Sequence, residues 1–277
     1  MVGVAGFRRQ VWAWYRTYGR HNLPWRLTRD PYRILVSEVM LQQTQVVRVL
    51  PKYAEFLQAF PSVSSLARAP LPKLLKVWQG LGYNRRALNL RKLAQVVVEE
   101  YDGRLPKRVA ELEQLPGVGP YTARAVATLA FNQPLPLVET NIRKVLLHQF
   151  FSKRRRVPDS EVAAVAEALL DKRQPREWNL GLMDYGAAHF TARRSNPNRR
   201  SAHYATQPIF KNSRRFVRGR VVAWFSEYGG GSLAALRQHL TRRGLPAGLF
   251  EHLPEILVDL EQEGFVVSRR GTYKLAP

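Results

Sequence analysis

Between residues 7 and 190 the apolar side chains of this chain recur every three to four positions, and most runs are stopped by Pro or Gly. That period belongs to helices with one buried face; strands alternate every second residue and cannot use it. The runs cover residues 7–18, 31–39, 46–60, 71–80, 85–101, 108–114, 121–131, 139–151, 160–170 and 178–190. No convincing period-2 pattern appears before the C-terminal end, so everything up to there reads as all-α.

The pattern changes after Ile209. Residues 214–228, 231–244 and 249–264 read as three helices, and residues 264–275 read as a hairpin turning near Arg269, Arg270 and Gly271. Three helices followed by a basic hairpin resemble a winged-helix module, a topology that serves either DNA or protein binding. Two polar, basic, turn-rich stretches, residues 152–158 and 191–208, read as loops.

Charge narrows the partner. The 277 residues carry 44 Lys+Arg against 21 Asp+Glu, a net charge of +23. Basic surfaces gain by displacing counterions from phosphates, so the expected partner is nucleic acid. The excess is spread along the chain instead of lying on one amphipathic helix, and no run approaches the roughly 20 apolar residues of a membrane span. The N-terminal stretch lacks signal-peptide order, which sets the expected location as cytoplasmic, nucleoid-associated in a bacterium. The sequence holds no cysteine. Thiolate catalysis, disulfides and cysteine-ligated clusters are therefore excluded, and the scattered histidines lack the spacing of a metal site.

Four stretches could carry chemistry. In LPGVG, Leu115, Gly117, Val118 and Gly119 form a turn between two helices whose exposed N–H groups suit an anion. Glu38 stands in an otherwise apolar helix, where burial would raise its pKa and keep a proton available. Gln42, Gln43 and Thr44 cluster groups that hydrogen-bond base edges, and Tyr83 with Arg85 and Arg86 combines an aromatic with phosphate-binding cations. Glu139 opens a helix at a place where Thr140 or Asn141 would cap better, which points to another duty.

Trp25-Arg26, SEVMLQQTQV, WQGLGY, LPGVGPYTARAV and ETNIRKV stand in the order and spacing of the helix-hairpin-helix DNA glycosylases. The chain most resembles the MutY-type adenine DNA glycosylases, over about residues 12–188. The resemblance implies an all-α, two-lobed HhH-GPD fold followed by a small winged-helix-like α+β module. One lobe would comprise residues 1–28 plus 139–205, a six-helix lobe residues 29–138, and the module residues 209–277. It also implies a monofunctional enzyme of base excision repair. Such an enzyme hydrolyses the N-glycosidic bond of a flipped-out adenine mispaired with 8-oxoguanine or guanine in double-stranded DNA.

Roles follow by position. Glu38 matches the general acid. Glu139 matches the carboxylate that stabilises the sugar cation, and Asn141 supports it. Tyr121 stands where strand-cleaving members have Lys; a phenol cannot form an imine, so no β-lyase activity is expected. Trp25, Arg26 and Asp184 match the base pocket, Gln43 and Tyr83 the wedge. Leu115–Gly119 would grip phosphate, with a monovalent cation on its carbonyls. Three departures stand out. The family's four cluster cysteines are absent, leaving Arg193, Arg194, Arg199 and Arg200 as the basic replacement. Glu139 is one methylene longer than the family's Asp. The domain that reads 8-oxoguanine is expected to be missing, and no protein partner of the module is identifiable. Excision of thymine or uracil opposite guanine, and a catalytically impaired lesion sensor, are the alternatives.

Overall fold

The computed structural model describes residues 3–190, 196–206 and 209–276. The helices run α1 (Val4–Tyr18), α2 (Pro31–Leu41), α3 (Val46–Ala59), α4 (Val63–Ala67) and α5 (Leu71–Trp78). They continue as α6 (Arg85–Glu100), α7 (Val109–Gln114), α8 (Pro120–Phe131), α9 (Thr140–Phe150), α10 (Asp159–Leu169) and α11 (Pro175–His189). The C-terminal part adds α12 (Arg214–Tyr228), β1 (Gly230–Ser232), α13 (Leu233–Arg242), α14 (Leu253–Gln262), β2 (Val266–Arg269) and β3 (Thr272–Leu275). Among the described residues no helix is long and apolar enough to cross a membrane.

Two compact units result, each discontinuous in sequence: residues 1–38 with 105–206, and residues 39–104 with 207–277. These divisions differ from the expected lobes. The first break falls inside α2, between Glu38 and Val39, and the helical hairpin joins the unit that holds the chain's start. The module does not stand apart but shares a unit with residues 39–104.

In the first unit α8 is the central element. Eight of its residues are buried, several of them Ala or Thr, so neighbours pack against it on nearly every side. Around it Phe7, Val11, Ile142, Leu146, Trp178 and Leu182 complete the core. Helices α9 and α11 cross closely at Gly186: a Cβ there would lie 2.3 Å from the Asn141 carbonyl oxygen. The second unit buries Phe56, Leu66, Leu71, Trp78 and Leu93, and continues through Val217, Phe225, Ile256 and Leu260 of the module.

The module has the order helix, strand, two helices, two strands, with an antiparallel sheet arranged β1-β3-β2. The expected hairpin forms, with Arg269 opposite Thr272 and Arg270 and Gly271 at positive φ in the turn. Strand β1 has no counterpart in the sequence reading. Gly-Gly-Ser shows no alternation; pairing with β3 (Gly231 opposite Tyr273) makes it a strand. Helix α4 also escapes periodicity, and a capping box between Ser62 and Ser65 defines its start.

Candidate active site

Glu38 closes the first segment of unit one, three residues from the end of α2. Its side chain is buried, with Tyr121 as hydrogen-bond partner: the phenol donates to Oε2 at 3.3 Å. Loss of water pushes the Glu38 pKa up to about 7. The phenol and Arg26 pull it down, while the nearby Glu139 charge raises it further. Tyr121 itself is held well above its ordinary value, by burial and by the two carboxylates. It stays a neutral donor. Tyr121 sits at the second position of α8, where Pro120 starts the helix and Gly117 (φ 78°) turns the chain out of α7.

Glu139 itself caps α9, although Thr140 or Asn141 is the better capping residue by type. Oε1 accepts from the backbone N–H groups of Asn141 (2.7 Å) and Ile142 (2.8 Å), and Oε2 from the Asn141 side-chain amide at 3.2 Å. Glu reaches these groups because its longer side chain folds back over the first turn. Burial raises its pKa, opposed by the two amides, Lys144 and Arg20. Three N–H donors face Glu139 and a single phenol faces Glu38, so negative charge is better accommodated on Glu139. Both carboxyls are shifted upward, and the one with fewer donors, Glu38, is the better placed to hold a proton.

Arg26 and Asp184 form one ion pair in place of two free base contacts. Arg26 donates to both Asp184 oxygens at 2.5 and 2.8 Å; Arg20 adds its backbone N–H at 2.8 Å and its Nε at 2.6 Å. Desolvation works against this charge, but the arginine partners hold the Asp184 carboxyl below its ordinary pKa. Trp25 is buried beside Arg26 in a short 3-10 turn. Sequence reasoning missed Arg20 and Arg176. Buried Arg176 donates to the carbonyls of Arg26 (2.8 Å) and Thr28 (2.9 Å) and also to that of Leu129, tying α8 to the Arg26 loop. Among 44 basic residues nothing in sequence marks these two.

In the second unit Gln43 (φ 55°) and Tyr83 (φ 48°) both occupy the left-handed region, uncommon for residues other than Gly. Backbone strain of this kind persists only where the surroundings impose it. Arg86 imposes it here. Expected at phosphates, its guanidinium instead turns inward, donating to the carbonyls of Val39, Met40 and Gln42 at 2.7–2.9 Å. It also reaches Thr44 Oγ1 at 3.1 Å and the carbonyls of Leu81 and Gly82 at 3.2 and 3.1 Å. Burial lowers its pKa to about 10. Thr44 is thereby part of this clamp, whereas Arg85 remains exposed, with Glu263 at 4.0 Å. Tyr83 is 44% exposed at the tip of its turn.

At the hairpin Leu115 and Val118 are buried and anchor the turn, the Val118 N–H donating to the Leu115 carbonyl at 3.1 Å. Gly119, the N-cap of α8, is open: a Cβ there would meet nothing within 4 Å, which leaves the backbone approachable. Arg199 and Arg200 lie in a short turn, residues Pro197–Arg200, and line a hollow of about 640 Å³ with residues 152–156. The turn is docked by a bond from the Asn198 amide to the Thr140 carbonyl (3.2 Å) and by the Val157 N–H on the Arg200 carbonyl (2.7 Å). Arg193 and Arg194 lie outside the described residues. Among the described residues no three His, Cys, Asp or Glu gather as metal ligands.

Residues 36–172 match the HhH-GPD superfamily of base excision DNA repair proteins. An adenine DNA glycosylase of Buchnera aphidicola subsp. Baizongia pistaciae is 34% identical over 192 residues, covering 69% of this chain and 54% of that protein. A thymine/uracil-DNA glycosylase of Pyrobaculum aerophilum is 35% identical over 198 residues, covering 69% of this chain and 86% of that protein. The solved structure of a thermostable thymine-DNA glycosylase superposes with a TM-score of 0.62 at 30% identity, covering 70% of this chain and 90% of that one. The chain spans about half the length of the adenine DNA glycosylases it matches. Matched along most of its helical part in sequence and in fold, the chain belongs to the HhH-GPD superfamily of base excision DNA repair proteins.

Proposed function

We propose that the protein is a monofunctional DNA glycosylase that removes a mispaired adenine from double-stranded DNA. The observation that carries this reading is the pair of unequal carboxyls, Glu38 protonatable near neutral pH and Glu139 held by three N–H groups. An extruded base leaves with the electron pair of its N-glycosidic bond, and the Glu38 proton neutralises the departing base. The sugar left behind is cationic at the anomeric carbon, and the Glu139 carboxylate offsets that charge. Water then adds to that carbon and loses a proton, leaving an abasic site.

Tyr121 holds the acid in place and offers no amine for a Schiff base, so the strand stays uncut. The Arg20–Arg26–Asp184 network supports the wall of this site as an anchor; its carboxylate is already engaged by two arginines. The carbonyl rim of Leu115–Gly119 is the place we assign to a monovalent cation when the hairpin grips phosphate. Arg199, Arg200 and the arginines of residues 152–156 supply the basic surface that accompanies a duplex.

The Pyrobaculum relative favours a second reading, excision of thymine or uracil opposite guanine by the same acid pair. One assay separates them: purified protein is incubated with duplexes holding A:8-oxoguanine, A:G, T:G or U:G, and products are resolved with and without alkali. We expect alkali-dependent cleavage at adenine, and loss of it in Glu38→Gln. Cleavage confined to T:G and U:G selects the second reading. Tight binding with no abasic product at any enzyme excess rejects both and leaves a lesion sensor.

A further inference from the structure

The second unit contains a hollow of about 810 Å³ between the α5–α6 turn and the module. One wall carries Gln43, Gln79, Tyr83 and Arg85; the other is a single face of α12, formed by Arg215, Gly219, Val222 and Ser226 at helical spacing. That face is shallow: a Cβ on Gly219 would meet nothing within 4 Å. Two aromatic side chains stand at the opening, Tyr83 at 44% and Phe210 at 58% exposure. The Arg215 guanidinium donates to the Tyr83 hydroxyl at 3.4 Å, so the module touches the strained turn directly.

We propose that α12 of the C-terminal module binds a DNA strand in this groove. A phosphate lies against Arg215, with Arg48 and Arg85 on the facing wall, and a nucleobase stacks between Tyr83 and Phe210. Cations for phosphate, amides for base edges and exposed rings for stacking are the three components a nucleic-acid strand requires. The proposal rests on the base-excision reading, and adds to it the part of the chain that follows the matched residues.

Helix α14, the third of the module and the one such folds commonly send into DNA, stays off it. Its sequence, LPEILVDLEQ, has three acids and no base. Glu255 and Asp259 pair with Arg214 at 3.7 and 2.6 Å, and Glu261 accepts from the Ser268 backbone and hydroxyl at 2.9 Å. An acidic helix turned to phosphates would be repelled. One carboxylate, Glu263, does line the groove, and Arg218 at 2.8 Å with Arg85 at 4.0 Å matches its charge.

The test uses the full chain and a fluorescein-labelled duplex holding a tetrahydrofuran abasic analogue opposite guanine, read by anisotropy across a salt series. Arg215→Ala is expected to raise Kd roughly tenfold and to lower the salt slope by about 1. Gly219→Leu, which fills the trough, should weaken binding with the slope unchanged. Glu255→Lys on α14 should leave Kd within about twofold. In the unmodified protein, amide exchange should slow across residues 214–226 on adding duplex and stay unchanged across residues 253–262, a readout that needs no variant to fold. Wild-type binding by both groove variants, tenfold tighter binding by Glu255→Lys, or protection of 253–262 alone overturns the proposal. If no mispaired base is excised while the groove variants still lose binding, the groove stands and the excision reading falls.

Discussion

Glu38 and Glu139 are the same residue type in one unit, and their partners set them apart. A phenol is a weak donor for a buried charge; two helix-terminal amides and a side-chain amide are stronger. The consequence reaches stability. Between its ordinary pKa of 4.5 and about 7, Glu38 keeps its proton in the folded chain and loses it in the unfolded one. The native state then binds more protons, so stability falls as pH rises through this window and is level above it. Glu38→Gln should abolish this slope and, at pH 8, stabilise the chain by up to about 3 kcal/mol in urea unfolding while eliminating excision. An unchanged pH dependence of unfolding would count against a protonated Glu38. In wild type, single-turnover excision should decline as pH passes about 7, since the acid form is the active one.

Glu38 was legible because a carboxyl on an apolar helix needs a reason. Arg86 was legible only as a charge. Which way it turns depends on the carbonyls of Val39, Met40 and Gln42, far away in sequence, together with those of the adjacent Leu81–Gly82 turn, and periodicity holds no record of those. The geometry of Glu139 was not legible, because capping preferences describe short side chains and miss a Glu that curls back on its own helix.

Among elements, the crossing of α9 with α11 governs the site. Gly186 brings the α11 backbone against Asn141, in the first turn that Glu139 caps. Gly186→Ala places a methyl where a carbonyl already lies, and the helices must part. The expected cost is about 1–3 kcal/mol, seen as a lower urea midpoint. Displacing the carboxylate by even ~1 Å should slow excision on the order of 100-fold. A variant that loses stability at wild-type rate would separate the crossing from the chemistry. Nothing in LMDYGAAHF announces this contact; a helical Gly reads as a weak position until its neighbour is known. Long amphipathic helices were visible because each is specified by its own residues. Helix α4 and strand β1 were not, being defined by two serines and by a partner strand.

For the whole molecule, a net charge of +23 predicts that phosphate attraction is the main contribution to the proposed affinity for DNA. Log Kd for any duplex should rise linearly with log salt, steeply enough to lose at least tenfold between 50 and 200 mM, with mispaired and matched duplexes sharing nearly the same slope. A salt-insensitive Kd would mean that the arginines face one another and not a polyanion. The compositional inference of a nucleic-acid partner and the all-helical reading of residues 7–190 were available from sequence. The division into units was not, since it depends on which helices bury the same surface.

That division bears on how the protein comes into being on the ribosome. The unit holding Glu38 is interrupted by residues 39–104 and closes only with α8, α9 and α11. A nascent chain halted before α8 lacks Tyr121, the hydrogen-bond partner of Glu38, and one halted before α9 also lacks the N–H groups that hold Glu139. On the proposed function, products truncated before these elements should lack the paired carboxyls and release no base, however much of residues 39–104 they contain.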